Sequence, residues 1–171
     1  MRACHCCPQP EPSLLLAGVS PGYKIPRSVM VVIYTADLQV LMLERAGWPG
    51  FWQSVTGSID HADEPLIETA RREVREETGI DTSDYRLEDW GIENSFEIFK
   101  NYRSRYAQGV THNLEHMFGL ELPGVVPVQL DPDEHLRYEW MPWDQAAGRT
   151  LSWTNRDAIL LLPQKRAARA I

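Results

Sequence analysis

The stretch that decides the fold is GSIDHADEPLIETARREVREETGI, residues 57–80, in which a glycine turn leads into an acidic helix. The 3.6-residue helical period places Glu73, Glu76 and Glu77 at neighbouring positions on one face. Like charges at this spacing repel, so flanking arginines such as Arg72 or a bound cation must offset them. Carboxylates on one rigid element suit a hard ion such as Mg²⁺ or Mn²⁺. The stretch therefore predicts a site for phosphate chemistry, with a solvated acidic helix face as the alternative.

Composition predicts one catalytic domain in solution. With 171 residues, 43% of them hydrophobic, the chain is long enough for one core and short for two. A net charge of −7 argues against a nucleic acid polymer as partner and leaves small anionic substrates that need a metal. No apolar run reaches the roughly 18 residues of a membrane span. The N-terminal segment makes a poor signal peptide, because Arg2 is its only basic residue. We therefore expect no membrane partner and a cytoplasmic location.

The N-terminal segment differs from the rest of the chain. Residues 1–22 have prolines at 8, 10, 12 and 21 and no periodicity, which predicts a flexible extension before a domain at 23–171. Cys4, Cys6 and Cys7 lie there beside His5, but a zinc site usually needs a second ligand pair further along the chain. We therefore expect no zinc, and recruitment of partners by this segment stays an alternative role.

Hydrophobic patterning predicts alternating strands and helices. Strands are expected at 28–34, 38–45, 51–57, 85–90, 95–99 (paired with the preceding one), 116–123 and 135–141. Helices are expected from Glu64-Pro65 to Gly79, at 143–148, and at 152–169 with Ser152 or Thr154 as N-cap, and a loop is expected at 101–110. Strands before and after a central helix favour an α/β fold, a mixed sheet covered by helices on both faces.

The spacing within 57–80 resembles the signature of the Nudix hydrolases. The matching positions are Glu64, Arg72, Glu73, Val74, Glu76, Glu77, Gly79 and Ile80. One departure is that Gly57 precedes Glu64 by six residues rather than five, so either the loop is one residue longer or Asp63 takes the glutamate position. The resemblance implies the Nudix α/β/α sandwich with a mixed central sheet.

Further segments are similar to bacterial Nudix enzymes of folate synthesis that act on dihydroneopterin triphosphate. They cover about 23 to 160 and read YKIPRSVMVVIY, VLMLER, FWQSVTGS, SFEIF, RYAQGVTHNLE, DEHLRYEW and LSWTNRDAI. This resemblance implies hydrolysis to dihydroneopterin monophosphate and pyrophosphate. A general (d)NTP pyrophosphatase, or a Nudix-fold module that binds its ligand without cleaving it, stays an alternative.

The resemblance also implies the metal site. It assigns Mg²⁺, or alternatively Mn²⁺, to Glu73, Glu77 and Glu134, with Glu76 as a further catalytic residue. Glu134 belongs to an acidic loop that would otherwise be interpreted as solvated surface. The general base stays open among Glu76, Glu115 and Glu134, because geometry decides that role before pKa does.

Substrate contacts are expected from basic, aromatic and amide side chains. Lys24 and Arg45 match basic residues of the family segments and are candidates to clamp phosphate oxygens, while Arg72 is expected to hold the glutamates by ion pairing. A pterin is a flat ring with hydrogen-bonding edges, so its pocket should combine an aromatic face with polar groups, although most aromatics belong to the core. The candidates are Trp52, Phe96, Phe118, Trp153, Asn155 and Arg156.

Overall fold

The structure, a computed structural model, describes residues 22–169. The predicted extension at 1–22, with its cysteine cluster, therefore lies outside the described residues except for Gly22. The strands are β1 (Arg27–Thr35), β2 (Gln39–Arg45), β3 (Trp52–Gln53), β4 (Val55–Ser58), β5 (Arg86–Glu97), β6 (His112–Leu122) and β7 (His135–Pro142). The helices are α1 (Leu66–Thr78), α2 (Trp143–Arg149), α3 (Trp153–Leu160) and α4 (Leu162–Arg169).

The seven strands form one mixed sheet. At its centre β1 and β6 run parallel, paired from Arg27 with Leu114 to Thr35 with Leu122. The remaining pairings are antiparallel: β2 and β4 share the other edge of β1, β2 also pairs with β3 and β7, and β5 pairs with β6. β1 is paired on both edges, and its apolar run SVMVVIY is buried on both faces because helices pack on each side of the sheet.

Alternation along β1 creates two core layers. Val29, Val31 and Ile33 pack in one layer with Ala70 and Val74 of α1. The side chains between them point to the opposite face and pack with residues from α2, α3 and α4: Met30, Val32, Tyr34, Ala146, Ala158, Ile159 and Leu162. The predicted sandwich, a mixed sheet between helices, is thus confirmed.

Three predicted elements differ in the structure. The strands expected at 85–90 and 95–99 are one strand, β5, whose two halves both pair with β6 and are separated by an irregularity between Asp89 and Glu93. Gly91, with φ 64°, lies in this irregularity, so the break in alternation reflects a bulge and not a chain reversal. The piece expected at 51–57 is divided into β3, paired with β2, and β4, paired with β1.

The C-terminal helix is the third difference, because the segment expected to be one helix at 152–169 is divided at Leu161. Pro163 lacks a backbone N–H, and its ring would clash with the carbonyl of Ile159 in a continuous helix. The predicted N-cap is confirmed: the Ser152 hydroxyl accepts a hydrogen bond from the Asn155 N–H at 3.4 Å.

Candidate active site

A cleft of about 730 Å³ opens between α1, the N-terminal half of β1, β6 and the start of α3. It is lined by most of the predicted site residues: Lys24, Arg45, Glu73, Glu76, Phe96, Glu134, Trp153 and Asn155. Three of the predicted substrate contacts lie elsewhere. Trp52 is buried in the core layer of α2–α4, Phe118 is buried in the α1 layer, and Arg156 is an exposed partner of Asp157.

Gly57 explains how Glu73 reaches the cleft. Gly57 is a residue of β4, and a Cβ built on it would lie 1.7 Å from Cδ of Glu73. Only a residue without a side chain leaves room for this carboxylate against the strand. The glycine of the motif therefore acts through close approach between β4 and α1, and not through a turn of its own.

Arg72 holds the acidic residues of α1 and the preceding loop in place. Its guanidinium donates hydrogen bonds to Glu73 at 2.7 Å, to Glu76 at 3.3 Å and to the Ser58 carbonyl at 2.9 Å. A planar fork of five N–H donors can bridge several acceptors at once in a fixed geometry. The predicted ion-pairing role of Arg72 is thus confirmed, and the loop and helix are tied together at the cleft.

The longer loop before α1 leaves Glu64 in a structural position. Glu64 accepts hydrogen bonds from the Asp60 N–H at 2.6 Å and from Nε of Arg72 at 3.3 Å, whereas Asp63 is exposed. Burial raises the pKa of Glu64, but these hydrogen bonds and the Arg72 charge outweigh burial, so its pKa lies below the ordinary value. The extra residue is accommodated within 58–63, and Glu64, not Asp63, contacts Arg72.

Glu77 lies beneath the cleft, in a cluster with Glu134 and His135. Oxygen or nitrogen atoms of these three side chains all lie within 4.8 Å of one another. Oε2 of Glu77 is 2.9 Å from Nε2 of His135, and its Oε1 has no hydrogen-bond partner within residues 22–169 although Glu77 is 2% exposed. An orphaned buried carboxylate oxygen is costly in isolation and suits a cation ligand. His135 holds the carboxylate from the side away from that oxygen.

Glu73 shares this acidic environment. The pKa of Glu73 is raised to about 7, mainly by burial and also by the charges of Glu77 and Glu76, against the opposing effect of Arg72. A divalent cation next to Glu73, Glu77 and Glu134 would relieve the same repulsion. The residues present therefore fit such an ion.

Basic side chains face these carboxylates across the cleft. Lys24, Arg45 and Arg105 all line it. Burial and the charge of Arg105 lower the pKa of Lys24, while Glu73 and Glu134 act in the opposite direction. The backbone N–H of Lys24 also donates to the Arg105 carbonyl at 2.8 Å, which joins the two basic residues. Together they can bind several phosphate oxygens.

A second cluster of polar residues lies on β6 and α3. Asn113 and Glu115, which are 3% and 4% exposed, line the cleft together with Thr154 and Asn155. Asn155 is bound internally, since its Oδ1 accepts from the Ser54 N–H at 3.0 Å and its Nδ2 donates to the Ser54 hydroxyl at 2.8 Å. The predicted contact from Asn155 to substrate therefore competes with a buried structural role.

The same architecture and signature occur in known proteins. A family model described as the NUDIX domain matches residues 24–162. The chain belongs to the Nudix family. Its predicted membership, drawn from the residues between Glu64 and Ile80, is confirmed.

Among Nudix proteins, the chain is similar to enzymes named for one substrate. It is 47% identical over 140 residues to dihydroneopterin triphosphate diphosphatase of Escherichia coli K12, covering 80% of this chain and 91% of that protein. It is 43% identical over 149 residues to the Haemophilus influenzae protein of that name, covering 85% and 92%. The solved structure of the E. coli dihydroneopterin triphosphate pyrophosphohydrolase superposes with a TM-score of 0.75 at 46% identity, covering 80% of this chain and 94% of that one.

Three residues of this Nudix site were not predicted from the sequence, and a fourth was predicted only as a candidate base. His135 directly follows Glu134, which was a signal that the sequence offered. Arg105 lies in a short 3-10 helix, Lys100–Arg105, within the segment expected to be a loop. Asn113 was not considered at all, and Glu115 was considered only as a base. Pairing of β6 with β1 and β5 places these two residues beside Ser28 and Phe96, which also line the cleft.

Proposed function

We propose that the chain hydrolyses dihydroneopterin triphosphate to dihydroneopterin monophosphate and pyrophosphate, with Mg²⁺ or Mn²⁺ as cofactor. The observation that supports this best is sequence identity of 43–47% over most of the chain to enzymes named for that substrate. The cleft agrees with it, because one end carries acidic and basic residues suited to a metal and a triphosphate, and the other carries aromatic and polar groups suited to a flat ring.

Glu73, Glu77 and Glu134 would hold the cation. When bound, such an ion screens phosphate charge and lowers the pKa of a water ligand. Lys24 and Arg45, with Arg105, bind phosphate oxygens and orient the chain of phosphates along the cleft. Arg72 keeps the glutamates in position rather than contacting substrate.

The reaction breaks the anhydride between the α and β phosphates. Water adds to one of these phosphorus atoms and a cleft carboxylate accepts its proton. Attack at the α phosphorus expels pyrophosphate, and attack at the β phosphorus expels dihydroneopterin monophosphate, so both routes give the same two products. Glu76 and Glu134 are the candidates for that base, because both line the cleft at the α1 end. Glu115 lies among residues of β6 and α3. Burial raises its pKa and the Thr154 hydroxyl opposes that rise, whereas the pKa of Glu73 also depends on neighbouring charges, so Glu115 is separate from the charged end.

The remaining expectations follow from the substrate. A place in folate synthesis and a cytoplasmic location stay predictions, as does the absence of a nucleic acid partner. Within residues 22–169, none of the helices combines the length and the apolar character that crossing a bilayer requires.

Pyrophosphate release in the presence of Mg²⁺ tests the proposal. We expect kcat/KM for dihydroneopterin triphosphate to exceed that for dATP and for dGTP at least 10-fold, about 1.4 kcal/mol of transition-state discrimination. Chelation with EDTA should stop release, and added Mg²⁺ should restore it. A preference for a nucleotide would instead indicate a general pyrophosphatase, and binding without turnover would indicate a binding module.

A further inference from the structure

The polar residues of β6 present two buried hydrogen-bond acceptor atoms towards the cleft. Oε2 of Glu115 and Oδ1 of Asn113 have no hydrogen-bond partner in the part of the chain that the structure describes. Asn113 and Glu115 are two positions apart on β6, so their side chains lie on the same face of the sheet. Both residues line the cleft, although they are only 3% and 4% exposed. Unsatisfied buried acceptors are rare in folded proteins and call for a donor from elsewhere.

The two acceptors are held in fixed orientations. Nδ2 of Asn113 donates to the Ser28 hydroxyl at 2.7 Å, which directs Oδ1 of the amide away from that bond. Glu115 is bonded to Thr154. Neither side chain needs to rearrange before it can accept a hydrogen bond from a ligand, so the pair is preorganised.

The neighbouring residues supply faces for a flat ring. Phe96 of β5 is directly paired with Asn113 and lines the cleft. Trp153, at the start of α3 next to Thr154, also lines the cleft and is 47% exposed. Aromatic faces next to directed polar atoms are typical of pockets for heterocycles. A planar ligand can therefore contact an aromatic side chain while its edge meets the two acceptors.

We propose that Glu115 and Asn113 accept hydrogen bonds from the ring edge that carries a ring N–H next to an exocyclic amino group, as in a 2-amino-4-oxopyrimidine. Dihydropterins and guanine share this edge, and it offers two adjacent donors to two acceptors. Adenine offers one amino donor beside a ring nitrogen acceptor, which would face a carboxylate oxygen. A site built on hydrogen bonds rejects such a ligand because its own buried groups stay unpaired. This assignment deepens the proposed function and rests on it for the pterin.

Burial supports the same assignment. It raises the pKa of Glu115 to about 7, and no cation within residues 22–169 offsets that rise. Two N–H donors from a neutral ring would stabilise the charged form without introducing a counter-ion. The proposal therefore explains why a carboxylate occupies a position where an amide would be accommodated with a smaller desolvation cost.

Binding of monophosphates tests the proposal independently of turnover. dGMP and dIMP differ only in the 2-amino group, so their dissociation constants, measured by calorimetry without metal, isolate that group. We expect the native chain to bind dGMP at least 10-fold more tightly than dIMP, and Glu115→Gln to reduce this ratio to about 2-fold or less. Glu121→Gln is the matched control, because Glu121 lies on the same strand and pairs with Arg166, and it should preserve the native ratio.

Three outcomes would overturn the proposal: no binding of either nucleotide, equal binding by the native chain, or an unchanged ratio in Glu115→Gln. If circular dichroism shows that Glu115→Gln does not fold, Asn113→Leu removes the other acceptor and should lower the ratio in the same way. A failure of pterin turnover in the assay above would leave these binding results unaffected. The two proposals can thus fail separately.

Discussion

Both ends of the cleft carry a carboxylate whose pKa is raised to about 7 mainly by burial, yet the two are held in different ways. Glu73, at the α1 end, lies among charges, with Arg72 bonded to it at 2.7 Å and other glutamates nearby. Glu115, at the β6 end, has a hydroxyl partner, Thr154, and an oxygen that no group of the described chain satisfies. A similar pKa therefore arises in a charged network and in a neutral pocket.

This difference teaches how one cleft can separate chemistry from recognition. A carboxylate among charges is suited to a cation, because the network already balances several charges around it. An isolated carboxylate is suited to neutral N–H donors, because a hydrogen bond satisfies it without adding charge. Substitutions at the α1 end should therefore affect all triphosphates alike, and substitutions at the β6 end should change the choice among them.

Glu77→Gln should give the largest loss of activity, and the loss should be equal for every substrate. The substitution keeps the shape of a 2%-exposed side chain but removes the charge that would hold a cation. We expect kcat to fall on the order of 10³-fold for dihydroneopterin triphosphate and dGTP alike, comparable to the loss of one essential electrostatic group. Circular dichroism and urea denaturation should show a folded protein, because Gln has a lower desolvation cost than Glu.

Glu68→Gln is the matched control for this change. Glu68 is an exposed residue of the same helix, paired with Arg71 at 2.6 Å, and its substitution should leave kcat within about 2-fold of the native value, since surface changes rarely matter. A native kcat in Glu77→Gln would remove Glu77 from the metal site. An unequal loss between the two substrates would contradict the separation of the two ends.

Gly57→Ala should give the next largest effect, also without changing substrate preference. Its Cβ would overlap Cδ of Glu73, which must then move away from β4. A displacement of about 1 Å at a catalytic group can cost on the order of 10²-fold in rate. We expect kcat/KM to fall by about that factor for pterin and nucleotide substrates together.

Gly148→Ala controls for the loss of a glycine. Apart from its chain neighbours and the backbone of its own helix, no heavy atom of the described residues lies within 4 Å of a Cβ built at Gly148, and its φ is not positive, so activity should be unchanged. Native activity in Gly57→Ala would mean that Glu73 has room to relocate without loss of function.

The contrast between the two ends also explains what the sequence predicted well. Glu73, Glu76 and Glu77 lie within five residues on one helix, so helical periodicity alone placed them together. The layered fold was equally accessible, because β1 and α1 carry clear apolar patterns. Local spacing was sufficient in both cases.

Local sequence spacing could not predict which residues come together at the β6 end. Asn113 meets Ser28 across 85 positions of the sequence, and Asn155 meets Ser54 across 101. Such contacts depend on strand order, which periodicity does not reveal. Trp52 shows the same limit, because an aromatic residue in a strand has the same pattern whether it faces a pocket or, as here, the core.

The pH dependence of stability should show the smallest effect, and it tests the isolation of Glu115 directly. Its pKa rises from the ordinary value of 4.5 in the unfolded chain to about 7 in the folded chain, so between these values the folded form binds more protons. The free energy of unfolding must therefore fall as pH rises through that window, by at most about 1.4 kcal/mol per pH unit. Glu115→Gln lacks this loss.

Urea denaturation at pH 5 and pH 8 measures the difference between the native chain and Glu115→Gln. We expect the variant to gain about 2–3 kcal/mol relative to the native chain between these pH values, while Glu121→Gln shows no such gain. Because Glu73 is retained in all three proteins, its own titration cancels from the comparison. A difference that is constant with pH would mean that Glu115 ionises equally easily in folded and unfolded chains. The β6 end would then be solvated, and its two acceptors would be satisfied by water rather than kept for a ligand.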